Sequence, residues 1–127
     1  MTVKDVFTGA LAVMGIEESD GADYKRTTVP IVNLLLWDLF DVNNSIRQSY
    51  GQVPMERAPV IADLEDEIPY EEGLVANTMP FGLATYLYAE ENQSLASFFN
   101  AKYEEGKRRA LRCIATVIED VYKSDGM

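Results

Sequence analysis

Four segments of the chain carry apolar residues at every third or fourth position, which is the repeat of an amphipathic helix rather than of a strand. The last segment, predicted over residues 94–122, is the clearest. Its apolar stripe consists of Leu95, Phe98, Phe99, Tyr103, Gly106, Ala110, Cys113, Ile114, Val117, Ile118 and Val121. The small residues Gly106 and Ala110 would let another helix approach closely. We therefore predict a mainly α protein, a single domain over residues 1–127 built as a small bundle of about four helices.

Capping residues and a proline indicate where the first and third helices begin, end or break. The first is predicted over residues 2–14, with Thr2 and Asp5 as an N-terminal cap and Gly15 as a left-handed C-terminal residue. The third is predicted over residues 71–89, and Pro80 should break or kink it near residue 79.

The second helix is predicted over residues 22–49, with Pro30 kinking it or dividing it near residue 29. One face holds Ile31, Leu35, Leu39, Val42 and Ile46. Four other apolar residues point elsewhere, namely Leu34, Leu36, Trp37 and Phe40, so the middle of this helix is apolar nearly all round. Either the helix is central and packed on two sides, or the Leu36, Trp37 and Phe40 side meets a neighbouring subunit.

One acidic residue, Asp38, falls near the apolar face of this helix by helical angle. A carboxylate in such a place needs a partner. We expect a Lys or Arg at the edge of the core, and an ion pair between subunits is the alternative.

Between the second and third helices the helical repeat disappears. Gly51, Pro54, Pro59 and Pro69 interrupt residues 50–69. This stretch is predicted to be a long irregular loop or extended arm, and loops of this length are usually functional. We expect the arm to contact a neighbouring subunit or a partner through Val60 and Ile61. Residues 123–127 are predicted to be a frayed tail.

Charge is concentrated in one block. The chain has 11 Lys and Arg against 21 Asp and Glu, no His, and a formal net charge of −10. Between residues 58 and 101 there are no basic residues and these acids: Asp63, Glu65, Asp66, Glu67, Glu71, Glu72, Glu90 and Glu91. Such a balance argues against a general nucleic-acid binder and against an anionic-membrane binder.

A basic segment follows the acidic block, with Lys102, Lys107, Arg108, Arg109 and Arg112. Three interpretations of it stay open. It is a solvated face with Glu104–Arg108 and Glu105–Arg109 ion pairs, or it meets the acidic block of a neighbouring subunit, or it contacts DNA. On the second interpretation, the interface residues are Asp63, Glu65, Asp66 and Glu67 on one side and Lys107, Arg108, Arg109 and Arg112 on the other.

Several kinds of chemistry lack their residues. Without His there is no Ser–His or Cys–His nucleophile. The single Cys113 lies on the apolar stripe, so a buried, inert thiol is expected. No glycine-rich phosphate loop is present, and residues 63–67 lack the glycine that a calcium loop requires. We therefore predict no enzyme, no catalytic residue, no cofactor and no metal.

Targeting and membrane segments are not predicted either. Residues 1–16 lack the apolar core and cleavage site of a signal peptide. The longest apolar run, residues 31–42, is too short and too polar to span a membrane. One cysteine fits a reducing compartment or a virion.

The segment EIPYEEGLVANTMPFGLATYLYAEENQSLASFFNAKYEEGKRRA, residues 67–110, resembles head–tail connector proteins. These are the neck, or head-completion adaptor, proteins of long-tailed bacteriophages. Three short motifs carry the likeness: Glu67-Ile68-Pro69-Tyr70, Phe81-Gly82-Leu83-Ala84 and Tyr103-Glu104-Glu105, with Glu91-Asn92 as the connector and Phe98 or Phe99 in the last helix. Pro80 and the acidic residues 63–67 are departures from the pattern.

The resemblance implies a structural subunit of the virion neck, made in the cytoplasm of the bacterial host. It would assemble as a homo-oligomeric ring under the portal protein, although the isolated chain can be monomeric. A downstream neck or tail protein would dock on the ring, and DNA would pass only as cargo. Two other hypotheses stay open: an acidic regulatory protein or DNA mimic that binds a basic partner, and an enzyme that uses carboxylates alone.

Overall fold

A computed structural model describes residues 1–125 of the chain and the side chains of residues 1–114. The described residues form six α-helices: α1 (Val3–Met14), α2 (Ala22–Asp38), α3 (Phe40–Ser49), α4 (Glu72–Asn77), α5 (Met79–Tyr88) and α6 (Gln93–Asp125). A 3-10 turn, Glu18–Asp20, precedes α2. No strand forms within residues 1–125, where the single β-bridge joins Thr2 to Glu67. The prediction of a mainly α, small helical bundle is confirmed.

The cap predicted for α1 is present. The backbone N–H of Asp5 donates to the Thr2 hydroxyl, and the backbone N–H of Thr2 donates to the Asp5 carboxylate at 2.9 Å. These hydrogen bonds lower the pKa of Asp5. At the other end, Gly15 has a φ of 73°, the left-handed conformation that favours glycine.

Two of the four predicted helices are each divided in two. Pro80 stands in the first turn of α5, where its missing N–H removes no hydrogen bond, so the predicted break near residue 79 is confirmed. The division predicted at Pro30 is wrong, because α2 continues through Pro30 and ends at Asp38. Pro30 is exposed, and water can satisfy the carbonyl that loses its helical donor. Leu39 separates α2 from α3 instead.

Helix α5 lies at the centre and packs against α1, α2, α4 and α6. Its Gly82 marks the place where three helices meet. A Cβ atom on Gly82 would lie 2.9 Å from side-chain atoms of Leu35 on α2 and of Tyr103 on α6. The close approach predicted at Gly106 is also present, because a Cβ there would lie 2.6 Å from the Thr78 hydroxyl oxygen.

Every helix contributes side chains to the core, and α6 does so through Phe99 and Tyr103. The largest fully buried hydrophobic ones are Phe7, Leu35, Leu36, Leu39, Met79 and Leu83. Leu36 was expected to pack either against other helices or against a neighbouring subunit. It is fully buried in the core, so the first alternative holds and its place among the candidate interface residues is wrong. The chain turns at Leu39 and Tyr70 covers the carbonyl of Leu36, so this side of α2 faces the core.

Residues 50–69, which we call the strap, are irregular but folded back onto the bundle. The side-chain amide of Asn33 makes two hydrogen bonds to the backbone of Ile61. Its oxygen accepts from the Ile61 N–H at 2.9 Å, and its NH₂ group donates to the Ile61 carbonyl at 3.0 Å. Asn44 holds Met55 in the same way, at 2.8 and 3.1 Å. These side chains replace the backbone partners that an irregular segment lacks.

The far end of the strap pairs with the start of the chain. The backbone N–H groups of Val3 and Lys4 donate to carbonyls of Asp66 and Leu64, and that of Ile68 donates to the carbonyl of Met1. Ile61, expected at an interface, is only 4% exposed and belongs to the core, whereas its neighbour Val60 is 79% exposed. An arm that extends away from the bundle is therefore the wrong description of this segment.

Helix α6 runs further than predicted. It continues to Asp125, so Lys123, Ser124 and Asp125 are helical rather than a frayed tail, and Gly126 and Met127 lie outside the described residues. Its stripe packs through Phe99 and Tyr103. The side chains of Val117, Ile118 and Val121 are outside the described part of the chain.

The prediction for the cysteine is wrong. Cys113 is exposed, because the helices that cover the first half of α6 leave this side of it open.

Candidate interaction surface

A groove of about 650 Å³ opens between α2, α5 and α6. Three apolar side chains in its wall are largely exposed: Leu34 by 55%, Trp37 by 67% and Tyr86 by 51%. We call it the Trp37 groove and define it by these three residues with Asp38 and Glu104, which line it on the polar side. Contiguous exposed apolar side chains on a protein surface often mark an interaction site.

The groove exists because one small domain cannot cover both sides of α2. Val32, Leu35, Leu36 and Leu39 fill the core, which leaves Leu34 and Trp37 on the outer side. Of the three residues expected on that outer side, the structure places only Trp37 there fully. Phe40 is half-buried and Leu36 is in the core. Tyr86, from α5, was missed because helical periodicity in α2 carries no information about which helix lies beside it.

Asp38 forms the centre of a polar cluster at the edge of the groove. Its carboxylate accepts a hydrogen bond of 2.6 Å from the Tyr103 hydroxyl and one of 3.0 Å from the Lys107 ammonium. Lys107 also reaches Glu104 at 3.4 Å. The expectation that Asp38 pairs with a basic residue at the edge of the core is confirmed, and the partner belongs to the same chain.

The pKa values of this cluster follow from opposing effects. Burial disfavours the charged form of Asp38, but the hydrogen bonds from Tyr103 and Lys107 outweigh it and lower its pKa. Burial likewise opposes the charge on Lys107, and the carboxylate of Asp38 more than compensates, which raises the Lys107 pKa. Burial and the bond to Asp38 both raise the pKa of Tyr103. At neutral pH, Asp38 and Lys107 are therefore an ion pair, and Tyr103 stays protonated as a hydrogen-bond donor.

Three acidic residues of the strap are exposed, namely Asp63, Glu65 and Glu67, whereas Asp66 is half-buried. The carboxylate of Asp66 accepts from the backbone N–H groups of Ala62 and Asp63, at 2.8 and 3.0 Å, and so shapes its own turn. Glu67 binds the N-terminal ammonium group at 3.0 Å and raises its pKa. Two of the four predicted acidic interface residues therefore have partners within the chain.

Other acids of the block also hold the fold together. Glu71 caps α4 by accepting from the N–H of Leu74 at 2.8 Å. Glu91 accepts from the Tyr24 hydroxyl at 2.7 Å, and this hydrogen bond raises the pKa of Tyr24 to about 12.

On α6, the predicted Glu105–Arg109 pair is present at 3.0 Å. Glu104 pairs with Lys107 instead of Arg108. Arg108, Arg109 and Arg112 are exposed, and Lys107 is mostly covered. Lys107 pairs with Asp38 of α2 and Arg109 pairs with Glu105 of α6, so these two bases are not paired with the acidic strap of their own chain.

A second cavity, of about 490 Å³, lies between α3, α4 and α6. Ile46, Leu74, Phe81 and Ile114 form apolar walls, and Cys113 stands at its edge. The charged residues at its rim are already paired, since Glu105 contacts both Lys102 and Arg109. Gly106 and Ala110 also line this cavity. From the sequence, these small residues predict a place where another helix comes close, and they do not predict a cavity there.

Among the side chains of residues 1–114, no three acidic or thiol groups converge as a metal-binding group. No helix in that part of the chain has the length and apolar character to cross a membrane. No protein-family model, no curated protein and no solved structure matches the chain.

Proposed function

We propose that this protein is a structural subunit of a bacteriophage neck, which forms a ring between the portal vertex of the capsid and the tail. The observation that carries the proposal is the Trp37 groove. An exposed Trp beside exposed Leu and Tyr side chains has the composition of an interface hot spot, where aromatic anchors supply most of the binding energy. A structural subunit needs such a surface, because its activity is to bind other subunits.

The resemblance of residues 67–110 to neck proteins supports the same proposal. The Phe81-Gly82-Leu83-Ala84 motif forms the middle of α5, which is the central helix, and Tyr103-Glu104 borders the groove. Residues that carry the likeness therefore contribute to the core and to the α6 side of the groove, whereas Leu34, Trp37 and Asp38 lie outside the matching segment.

In the proposed neck, the portal protein lies on one side of the ring and the next neck or tail protein on the other. The virion is then its place of action, after synthesis in the host cytoplasm. Exposed carboxylates such as Asp63 and Glu65 give the ring a surface that repels phosphates, so DNA would pass through the channel without binding.

Native mass spectrometry with the portal protein of the same phage tests the proposal. Across a range of protein concentrations, wild type should form a complex with portal, and Trp37→Ala should lose it. Phe98→Ala is the matched control, because Phe98 is also an exposed aromatic residue, but it does not line the groove. A wild-type chain that stays monomeric beside portal at every concentration would contradict the proposal.

The second candidate is an acidic protein that mimics DNA, and the exposure of Asp63, Glu65, Glu72 and Glu90 favours it. Glu71 and Glu91, by contrast, have structural partners, which leaves fewer carboxylates for a basic partner. Binding to a basic nuclease or repressor that DNA displaces would support this alternative.

A further inference from the structure

We propose that the Trp37 groove of one copy receives Arg108 and Leu111 from helix α6 of a second copy. This inference rests on the proposed function, which requires contacts between copies, and it adds which two surfaces meet. The groove is the acceptor, and the side of α6 that holds Arg108 and Leu111, which we call the α6 strip, is the donor.

The α6 strip continues the wall of the groove along the same helix. At 100° per residue, Arg108 and Leu111 lie within about 40° of Glu104, which lines the groove. Arg108 is exposed and Leu111 is 44% exposed. Among the side chains of residues 1–114, Arg108 has no acidic partner within ion-pair distance. The strip therefore presents one cation and one apolar side chain together.

The length of α6 explains why the strip is uncovered. A helix of 33 residues is about 50 Å long, whereas α3, α4 and α5, which pack on it, have 10, 6 and 10 residues and are about 15, 9 and 15 Å long. The helices that pack on the first half of α6 cannot cover this side over its whole length. A second copy is a source of the missing cover.

The charges of the groove match a guanidinium group. Asp38 and Glu104 both contact the single ammonium group of Lys107, which leaves one net negative charge at the edge of the groove. Both carboxylates are still partly open to solvent, at 49% and 43% exposure. Arg108 of a second copy would complete the balance, because a guanidinium group donates to two carboxylates at once in a planar geometry.

The apolar parts match as well. Leu34, Trp37 and Tyr86 offer an apolar wall beside the two carboxylates, and Leu111 lies one turn from Arg108 on the strip. Insertion in one direction only builds a head-to-tail chain that closes into a ring when the rotation permits. Insertion in both directions at once builds a closed dimer.

Disulfide trapping between two differently labelled copies tests this contact without portal. In a Cys113→Ser background, one copy carries Tyr86→Cys and the other carries Leu111→Cys. The mixed disulfide should form about tenfold faster than with Arg109→Cys as the control, because a specific contact raises the local thiol concentration. Arg109 is exposed on the same helix but points about 140° away from Glu104.

Charge reversal then tests the ionic part of the contact. Glu104→Arg in the groove copy, or Arg108→Glu in the strip copy, should reduce the rate to that of the control. The two reversals together should restore it, since the ion pair is then re-formed with exchanged signs. Circular dichroism melting of each variant verifies that it is folded.

Equal trapping rates for the Leu111→Cys and Arg109→Cys copies, or no restoration by the double reversal, would overturn the inference. If trapping fails while wild type still binds portal, the contact is wrong and the proposed function stands. If trapping succeeds but no portal complex forms, the contact stands and the proposed function fails. A trapped closed dimer in native mass spectra would support the contact and contradict the one-way ring.

Discussion

Tyr103 of α6 donates a hydrogen bond of 2.6 Å to the carboxylate of Asp38, which is the last residue of α2. The Tyr103 ring is buried between α5 and α6, and its hydroxyl reaches the edge of the Trp37 groove. This bond fixes the orientation of the polar side of the groove relative to its apolar wall. The first prediction follows from it.

Asp38→Asn should destabilise the protein by about 1–2 kcal/mol at pH 7, because it weakens a charged hydrogen bond and a partly exposed ion pair. The lowered pKa of Asp38 sets the pH dependence. Its contribution is present above the ordinary carboxyl pKa of about 4 and is lost as pH falls through the folded pKa. Urea unfolding of wild type and variant at pH 7 and at pH 3 measures the difference.

Glu105→Gln is the matched control for that measurement, since Glu105 forms an exposed ion pair within α6 and not between helices. It should cost less than Asp38→Asn at pH 7. A difference between wild type and Asp38→Asn that does not shrink on acidification would show that the charge of Asp38 is not its source.

Gly82→Ala should destabilise the protein by about 1–3 kcal/mol, as is typical of overpacking. The new methyl group would lie 2.9 Å from side-chain atoms of Leu35 and Tyr103, both of which are buried. Gly73→Ala is the control, because the atoms nearest its methyl group would be those of the exposed Glu71 carboxylate, at 3.1 Å or more. Thermal unfolding of both variants tests this, and equal melting temperatures would contradict the three-helix contact at Gly82.

Asn33→Ala should release the middle of the strap. It removes both hydrogen bonds to Ile61 and leaves two buried backbone groups without partners, at a cost of about 2–3 kcal/mol. Hydrogen exchange should increase around Ile61, and the exposed Asn77→Ala should leave it unchanged. Exchange at Ile61 that stays at the wild-type rate would show that the strap is held by other contacts.

Cys113 should react with a thiol reagent in the native state at a rate close to that of a small-molecule thiol, because it is exposed. Its reaction in native buffer and in denaturant can be followed by absorbance. A native rate that is lower by orders of magnitude would mean that the thiol is covered.

The local features of the fold were predictable. Thr2, Gly15 and Pro80 act through the backbone of their own turn, so their sequence positions suffice to predict helix ends. The division at Leu39 was not predictable, because neither glycine nor proline marks it. The burial of Leu36 was not predictable either, because helical angle alone does not show which helices cover that side of α2.

The candidate site was only partly predictable. Trp37 was selected correctly as a side chain that the bundle leaves uncovered, since α2 has more apolar residues than one core can bury. Its neighbours Tyr86 and Glu104 come from other helices, and their proximity depends on how α5 and α6 cross. The burial of Ile61 depends on the amide of Asn33, 28 residues away in sequence, which no local pattern reveals.

Electron microscopy of portal particles mixed with the protein is the most direct test of the proposed neck ring. Wild type should add a ring of density coaxial with the portal channel, and folded Trp37→Ala should add none. Portal particles that remain unchanged in the presence of excess folded wild-type protein would contradict the claim.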